Sequence, residues 1–239
     1  MKKYFLILIV SLVTIPAYAD NKEQTIYGKT YGEWSAKWVQ WAYAGPDGAN
    51  AIQDETGEFC TVNQLHEKIW FLAGSFGKTG VVRNCTIPSN RALFYPLIEG
   101  GWVDCPGTSD EDQTDAYVRQ SIATVSGPQG DNASLLTSTL DSAPIASLQI
   151  LTVRTQSPKF NAILPVNHVL GDPGCGFTYP AGKTGRWIID GYWVMLPPLP
   201  PGVHVLTLHG ASDGFGFDNE VTYNLNVLGD EQDDHHHHK

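Results

Sequence analysis

Residues 221–227 read VTYNLNV, and apolar and polar residues alternate in this run without a break. Successive side chains of a strand point to opposite faces, so the alternation predicts a strand with one buried face. Residues 203–209, VHVLTLH, keep the same period less regularly. The two runs therefore predict half-buried strands that close the fold.

Similar short runs occur throughout the chain and are separated by turn-forming Pro, Gly, Asn and Asp. The predicted strands are residues 68–76, 81–87, 91–98, 146–156, 159–164, 186–196, 202–209 and 220–227. Many short strands and few helices predict a mainly β fold. We expect an antiparallel β-sandwich or jelly-roll-like domain with one or two peripheral helices.

The clearest helix signal lies in residues 27–44, YGKTYGEWSAKWVQWAYA. Thr30 and Glu33 have the spacing of a capping box, in which their side chains satisfy free backbone N–H groups of the first turn. Gly45-Pro46 predicts the end of this helix. A second helix is predicted over residues 109–124, with Ser109 as its capping residue and acidic residues in its first turn.

The amino terminus has the three parts of a secretory signal peptide. A short basic region precedes a mostly apolar run at residues 4–15, and Ala17-Tyr18-Ala19 follows. We expect cleavage between Ala19 and Asp20, and hence a bacterial protein of the periplasm or the secreted fraction. No Cys follows the cleavage position and no later segment is long and apolar enough to span a bilayer, so we expect no membrane attachment after cleavage.

The predicted domain organisation is a signal peptide at residues 1–19, a single β-rich globular domain at residues 20–229, and a disordered acidic and His-rich tail at residues 230–239. The net charge is −10, and it falls to about −12 without the signal peptide. An excess of acidic residues disfavours nucleic acid as a partner, because affinity for nucleic acid depends on Lys and Arg neutralising phosphates.

Four cysteines remain after the expected cleavage. An even number in an oxidising compartment predicts two disulfides, with three connectivities open. The pairing Cys60–Cys85 with Cys105–Cys175 is favoured, because the first would close a modest loop and the second would join the two halves of the chain. The close CxxC-type spacing of a structural zinc site is absent.

Five blocks of sequence carry a resemblance to a known family. They are YGKTYGEWSAKWVQWAY at 27–43, WFLAGSFG at 70–77, CTIPSNRALFYPLI at 85–98, DGYWVMLPPLPPGVHVLTLHG at 190–210 and TYNLNV at 222–227. In this order they resemble a widespread family of exported bacterial proteins of unknown function. The resemblance implies a soluble exported protein with a mostly β fold, and it transfers no catalytic residue.

The helical spacing of Trp34, Trp38 and Trp41 puts three indole rings on one face of the first helix. Aromatic faces stack on sugar rings, so the three residues are candidates for ligand binding. An aromatic stripe at helical spacing more often packs onto a sheet, however, and we expect these side chains to be core residues.

Acidic residues near aromatic residues suggest a glycosidase as an alternative function. The candidates for catalysis are Glu99, Asp104 and Asp190. Glycoside hydrolysis requires two carboxylates at a defined separation, one of them with a raised pKa. Asp190-Gly191 also has the composition of a tight turn, which is the simpler interpretation of that pair.

The tail contains four consecutive imidazoles, His235, His236, His237 and His238. Together with the acidic residues beside them they have the chemistry to bind Zn²⁺, Ni²⁺ or Cu²⁺ adventitiously. We expect no cofactor in the folded domain, since no zinc-protease spacing, phosphate loop, dinucleotide fingerprint or serine nucleophile elbow is present.

These observations favour an exported protein of unknown activity that acts by binding, with a carbohydrate or another envelope protein as its partner. A carbohydrate-active hydrolase or lyase that uses paired carboxylates is the alternative hypothesis. Metal scavenging through the His-rich tail is a second alternative.

Overall fold

The structure is a computed structural model that describes residues 25–108, 114–122, 133–145 and 152–229. The predicted signal peptide, the predicted cap Ser109 and the His-rich tail at residues 230–239 lie outside the described residues. Within the described residues the chain is mainly β, as the sequence predicts.

The described residues form two α-helices and eleven strands. The helices are α1 (Tyr31–Ala42) and α2 (Asp115–Ser121). The strands are β1 (Ile69–Phe71), β2 (Val81–Pro88), β3 (Ala92–Val103), β4 (Leu135–Leu140), β5 (Ala143–Pro144), β6 (Thr152–Gln156), β7 (Ile163–Leu164), β8 (Gly182–Lys183), β9 (Trp187–Leu196), β10 (Gly202–Ser212) and β11 (Phe217–Leu228). Neither helix is long and apolar enough to cross a membrane, a finding that covers the described part of the chain.

Two larger sheets and a two-stranded ribbon contain these strands. The four-stranded sheet has the order β1-β3-β9-β6, the five-stranded sheet has the order β2-β11-β10-β4-β5, and β7 pairs with β8. Most pairs are antiparallel, but β1 pairs with β3 and β2 pairs with β11 in parallel. In these orders β1 is an edge strand of the four-stranded sheet and β2 is an edge strand of the five-stranded sheet.

The sheets pack face to face, and one of them also carries a helix. Tyr95 and Val194 of the four-stranded sheet lie in one apolar cluster with Leu206 and Tyr223 of the five-stranded sheet. Neighbouring residues such as Phe94 point the other way and pack with α1. The alternation of side chains along each strand therefore gives three layers, which are the helix, the four-stranded sheet and the five-stranded sheet.

Helix α1 forms as its sequence predicts. The Thr30 side chain accepts from the Glu33 backbone N–H at 3.1 Å, and the Glu33 carboxylate accepts from the Thr30 backbone N–H at 2.8 Å. The tryptophans on its inner face are buried, and the indole N–H of Trp38 donates to the Leu72 carbonyl at 2.8 Å. Burial of these large rings against β1, β3 and β9 is what holds the helix on the sheet.

The two disulfides have the favoured connectivity. Cys60 is bonded to Cys85, and Cys105 is bonded to Cys175. The first bridge attaches the loop before β1 to edge strand β2. The second attaches the segment after β3 to the segment before β8, so each bridge fixes a long irregular stretch onto a sheet.

The structure corrects the interpretation of Asp190-Gly191. This dipeptide is not a turn but lies inside β9, where Gly191 pairs with Glu99 of β3. A Cβ at Gly191 would come within 2.7 Å of both the Glu99 Cβ and the Ile98 carbonyl oxygen. The glycine is therefore explained by the close approach of two strands rather than by a change of chain direction.

Other boundaries also differ from the predictions. The predicted strand at 68–76 is a strand only at Ile69–Phe71, and the predicted second helix begins later, at Asp115, with Thr114 as its cap. Strand β4, with the sequence LLTSTL, was not predicted. Its residues have neither a strict period of two nor a continuous apolar run, so local pattern gives little indication of it.

Candidate functional site

The first candidate carboxylate, Asp104, is part of a buried ion pair. Its two oxygens lie 3.0 Å from Nε and 3.0 Å from Nη2 of Arg186, and the indole N–H of Trp102 donates to it at 3.1 Å. Arg186 also contacts Asp115 of α2 at 2.6 Å. The Asp104 carboxylate holds Arg186, which anchors α2 through Asp115, and in this arrangement it has little remaining capacity for a substrate.

The second candidate, Asp190, is likewise buried and paired. Arg154 contacts its two oxygens at 3.3 Å each, and the Gln156 side-chain amide donates to it at 3.2 Å. Asp190 pairs with Gly100 across the strands, whereas Glu99 pairs with Gly191. Neighbouring residues of a strand point to opposite faces, so Glu99 and Asp190 lie on opposite faces of the sheet. The structure does not bring the three candidates together into the carboxylate pair that glycoside hydrolysis needs.

The candidate tryptophans form part of the core rather than a surface. Trp34, Trp38 and Trp41 are 0%, 1% and 5% exposed. None of the three rings offers a free face on which a sugar could stack.

For metals, the described residues contain no group of three or more His, Cys, Asp and Glu side chains that could hold an ion. His235, His236, His237 and His238 lie outside those residues.

A pocket of about 480 Å³ opens at one side of the sandwich. It lies where edge strand β1 of one sheet meets edge strand β2 of the other, so neither sheet closes it. Its lining consists of Thr61, Gln64, Leu65, His66, Trp70, Thr86, Ile87, Pro88, Arg91 and Leu228. This volume is within the range of pockets that hold small organic ligands. We call it the edge pocket.

Hydrogen bonds and a disulfide hold the loop that covers the edge pocket. The Gln64 side-chain amide donates to the carbonyls of Cys60 and Phe71 and accepts from the Phe71 backbone N–H, at 2.8–2.9 Å. The Cys60–Cys85 bridge ties the start of the same loop to β2. Because both ends of the covering loop are fixed to the sheets, the pocket is preformed rather than assembled by a mobile segment.

Arg91 is the principal cation of the edge pocket. One N–H of its guanidinium donates to the Leu65 carbonyl at 2.6 Å, which fixes the head group against the covering loop. A guanidinium has five N–H donors, and in the described residues this is the one that has a partner. The remaining donors have the fork geometry that binds a carboxylate in a bidentate manner.

Trp70 provides an apolar wall of the edge pocket. The side chain is 8% exposed, and within the described residues its indole N–H has no acceptor. The indole nitrogen of Trp193 has the same status, and both nitrogens are inaccessible to solvent. Trp70 therefore contributes to the edge pocket through the apolar surface of its ring rather than as a hydrogen-bond donor.

The charge of the edge pocket is opposite to the charge of the protein. The whole chain carries a net charge of −10, yet among the described residues the lining includes the cation Arg91 and no Asp or Glu. Leu65, Ile87 and Leu228 add apolar surface to the same lining. The pocket therefore combines an apolar wall with a localised positive charge, which is the complement of an amphipathic anion.

Comparisons with protein-family models, with curated proteins and with solved structures found no match to this chain. The site is therefore interpreted from its own geometry.

The sequence-based predictions did not include the edge pocket. Its residues come from the loop at 61–66, from both edge strands, from Arg91 and from Leu228 at the end of β11. The sequence feature that could have pointed to this pocket is Arg91, which lies beside a turn in a chain with few basic residues. Nothing in the local pattern shows that Leu228 and Trp70 line the same cavity, because packing of the four-stranded sheet on the five-stranded sheet creates that proximity.

Proposed function

We propose that this protein is an exported bacterial binding protein, and that it holds a small amphipathic anion in the edge pocket. The observation that carries the proposal is the lining of that pocket, where Arg91 keeps guanidinium donors without a partner in the described residues, close to the apolar ring of Trp70. A ligand with an aromatic or aliphatic body and a carboxylate matches both features.

Two further observations support binding rather than hydrolysis as the function. The carboxylates Asp104 and Asp190 are each engaged by an arginine, and no acidic residue among the described residues lines the edge pocket. Glycoside hydrolysis by paired carboxylates at this site would need such residues within reach of the ligand. The pocket instead has the donors of a recognition site.

Export is part of the same proposal. The support for an oxidising destination is the pair of disulfides, since such bonds persist outside the reducing cytosol. The amino-terminal basic and apolar residues support passage across the inner membrane, with release after cleavage at Ala19. A preformed pocket fixed by a disulfide suits a protein that collects a solute from the periplasm or the medium.

The test uses two probes of the same shape, 1-naphthylacetate and its neutral amide 1-naphthylacetamide, in calorimetric titrations of the purified protein. We expect the carboxylate to bind at least tenfold more tightly than the amide. Arg91→Gln should reduce naphthylacetate affinity by about 10- to 100-fold, since a hydrogen bond to a charged group contributes about 1.5–3 kcal/mol.

Two further variants make the test specific. Lys183→Gln removes one positive charge at an exposed position outside the pocket and should leave the affinity unchanged. Trp70→Leu removes the aromatic wall and keeps Arg91, so it should weaken binding even if Arg91→Gln proves poorly folded. Equal binding of the two probes, or full affinity in Arg91→Gln, would contradict the proposal.

A further inference from the structure

A second, smaller cavity lies away from the edge pocket, between α1, the middle of β3 and the start of β11. Its volume is about 50 Å³ and it is partly open to solvent. The side chains that matter for its chemistry are Glu99 and three aromatic residues, Trp38, Phe76 and Phe217. We call it the Glu99 cavity. It shares no lining residue with the edge pocket.

Glu99 is unusual because its carboxylate is partly buried and unpaired. Within the described residues no hydrogen bond or ion pair reaches this carboxylate, in contrast to Asp104 and Asp190. Burial raises the pKa of Glu99 to about 7. Burial, and then the charge of Glu99, also raises the pKa of Tyr43, the capping residue after α1, above its usual range. Burying a carboxylate without a partner lowers the stability of the folded protein. A cationic ligand that pairs with Glu99 would explain why this residue lies in the cavity.

Aromatic residues line the same cavity as this carboxylate. Trp38 is buried, whereas Phe76 is 50% exposed and its ring centroid lies 6.5 Å from that of Tyr43 in an edge-to-face arrangement. Rings arranged around a negative charge are the features that recognise alkylated ammonium groups, through cation–π attraction and contact with the methyl groups. A phenylalanine left half-exposed at the mouth of a cavity fits this role.

The backbone that presents Phe76 is held in a strained conformation. Phe76 has φ 53°, in the left-handed region that residues with a side chain rarely adopt. Ser75, just before it, donates its backbone N–H to the Asn219 side chain at 2.7 Å and its hydroxyl to the same oxygen at 2.8 Å. Strain of this kind persists where the surrounding contacts enforce it, and it is concentrated at functional sites.

We infer that the Glu99 cavity binds an alkylated ammonium group, with the Glu99 carboxylate as counter-ion and Phe76 and Phe217 as the aromatic wall. The volume has room for roughly three or four water-sized groups, which is enough for a head group and not for a whole metabolite. The rest of the molecule would extend into solvent past Phe76. This site is independent of the edge pocket and of the function proposed for it.

The test compares choline with 3,3-dimethylbutan-1-ol, which has the same shape and no charge, by NMR titration of the purified protein. Choline should bind, and the alcohol should bind at least tenfold more weakly. Glu99→Gln should reduce choline affinity at least tenfold at pH 8. The matched control Glu58→Gln removes one negative charge at an exposed position and should leave choline affinity unchanged.

A second variant addresses the aromatic wall. Phe76→Leu keeps an apolar side chain and Glu99, but removes the ring, and it should weaken choline binding several-fold while binding of the alcohol changes little. Ethylammonium serves as a further probe, and it should bind more weakly than choline. Tighter binding of ethylammonium, equal binding of choline and the alcohol, or undiminished choline affinity in Glu99→Gln would overturn the inference.

Discussion

The guanidinium of Arg83 donates a hydrogen bond to the hydroxyl of Tyr223 at 2.7 Å, and both side chains are fully buried between the sheets. Arg83 also donates to four backbone carbonyls at 2.6–3.0 Å, those of Ile52, Asp54, Ala73 and Gly74. One buried cation thus ties β2 and β11 to the loop after α1 and to the segment that leads into Phe76.

This network predicts a large loss of stability on substitution of Arg83. Arg83→Met keeps much of the buried volume but leaves the carbonyls that it serves without donors. We expect the free energy of unfolding in urea to fall by about 3–5 kcal/mol, the usual cost of breaking a buried charged network. Lys183→Met, at an exposed position, should change it by less than about 0.5 kcal/mol. Similar small losses in both variants would contradict the structural role of Arg83.

The close approach of the paired strands β3 and β9 predicts that a larger residue at Gly191 lowers the stability of the protein. Gly191→Ala would place a methyl group 2.7 Å from the Glu99 Cβ and the Ile98 carbonyl oxygen, so the strands must separate. We expect a loss of about 1–3 kcal/mol in the free energy of unfolding, as for other overpacked positions. Gly171→Ala, where a Cβ meets no atom within 4 Å, is the control and should be nearly neutral.

The disulfides should differ in their effect on the edge pocket. The Cys60–Cys85 bridge holds the loop that covers it, whereas Cys105–Cys175 lies elsewhere. Each closes a chain segment of 25 or 70 residues, so removing either bridge by paired Ser substitutions should cost about 3–4 kcal/mol of stability. Loss of Cys60–Cys85 alone should also weaken naphthylacetate binding, as measured by calorimetry below the melting temperature of each variant. Equal affinities in the two variants would argue against a preformed pocket.

The raised pKa of Glu99 predicts that the free energy of unfolding decreases as the pH rises. Its pKa is raised from 4.5 to about 7 in the folded protein, so between these values the folded state binds a proton that the unfolded chain has lost. The free energy of unfolding should therefore fall as pH rises from about 4.5 to about 7 through this group, and then level off. Tyr43, with its raised pKa, stays neutral across this range.

The contribution of Glu99 is measured as the difference between the unmodified protein and Glu99→Gln in urea unfolding at several pH values. Glu58→Gln provides the control for loss of a carboxylate at an exposed site. The difference for Glu99→Gln should change between pH 5 and pH 7, with the variant gaining relative stability as pH rises. A difference that is constant over this range would show that the Glu99 carboxyl titrates normally.

Sequence predicted those elements whose signal is local. The capping box at Thr30 and the period of β11 are complete within a few residues, and both elements formed as expected. Asp190-Gly191 was misinterpreted because a glycine that is required by a partner strand has the same composition as a turn. The edge pocket was not predicted because Trp70 and Leu228 are brought together by the packing of two sheets whose strands are far apart in sequence.

The central claim, that the edge pocket binds a small anion through Arg91 and Trp70, is tested most directly by the indole N–H signals in a ¹H–¹⁵N NMR titration with 1-naphthylacetate. The protein has seven tryptophans, and Trp70→Phe identifies the signal of Trp70. Our account predicts that this signal moves on addition of naphthylacetate, and that it moves far less with naphthylacetamide or in Arg91→Gln. A Trp70 signal that stays in place at saturating naphthylacetate would contradict the account.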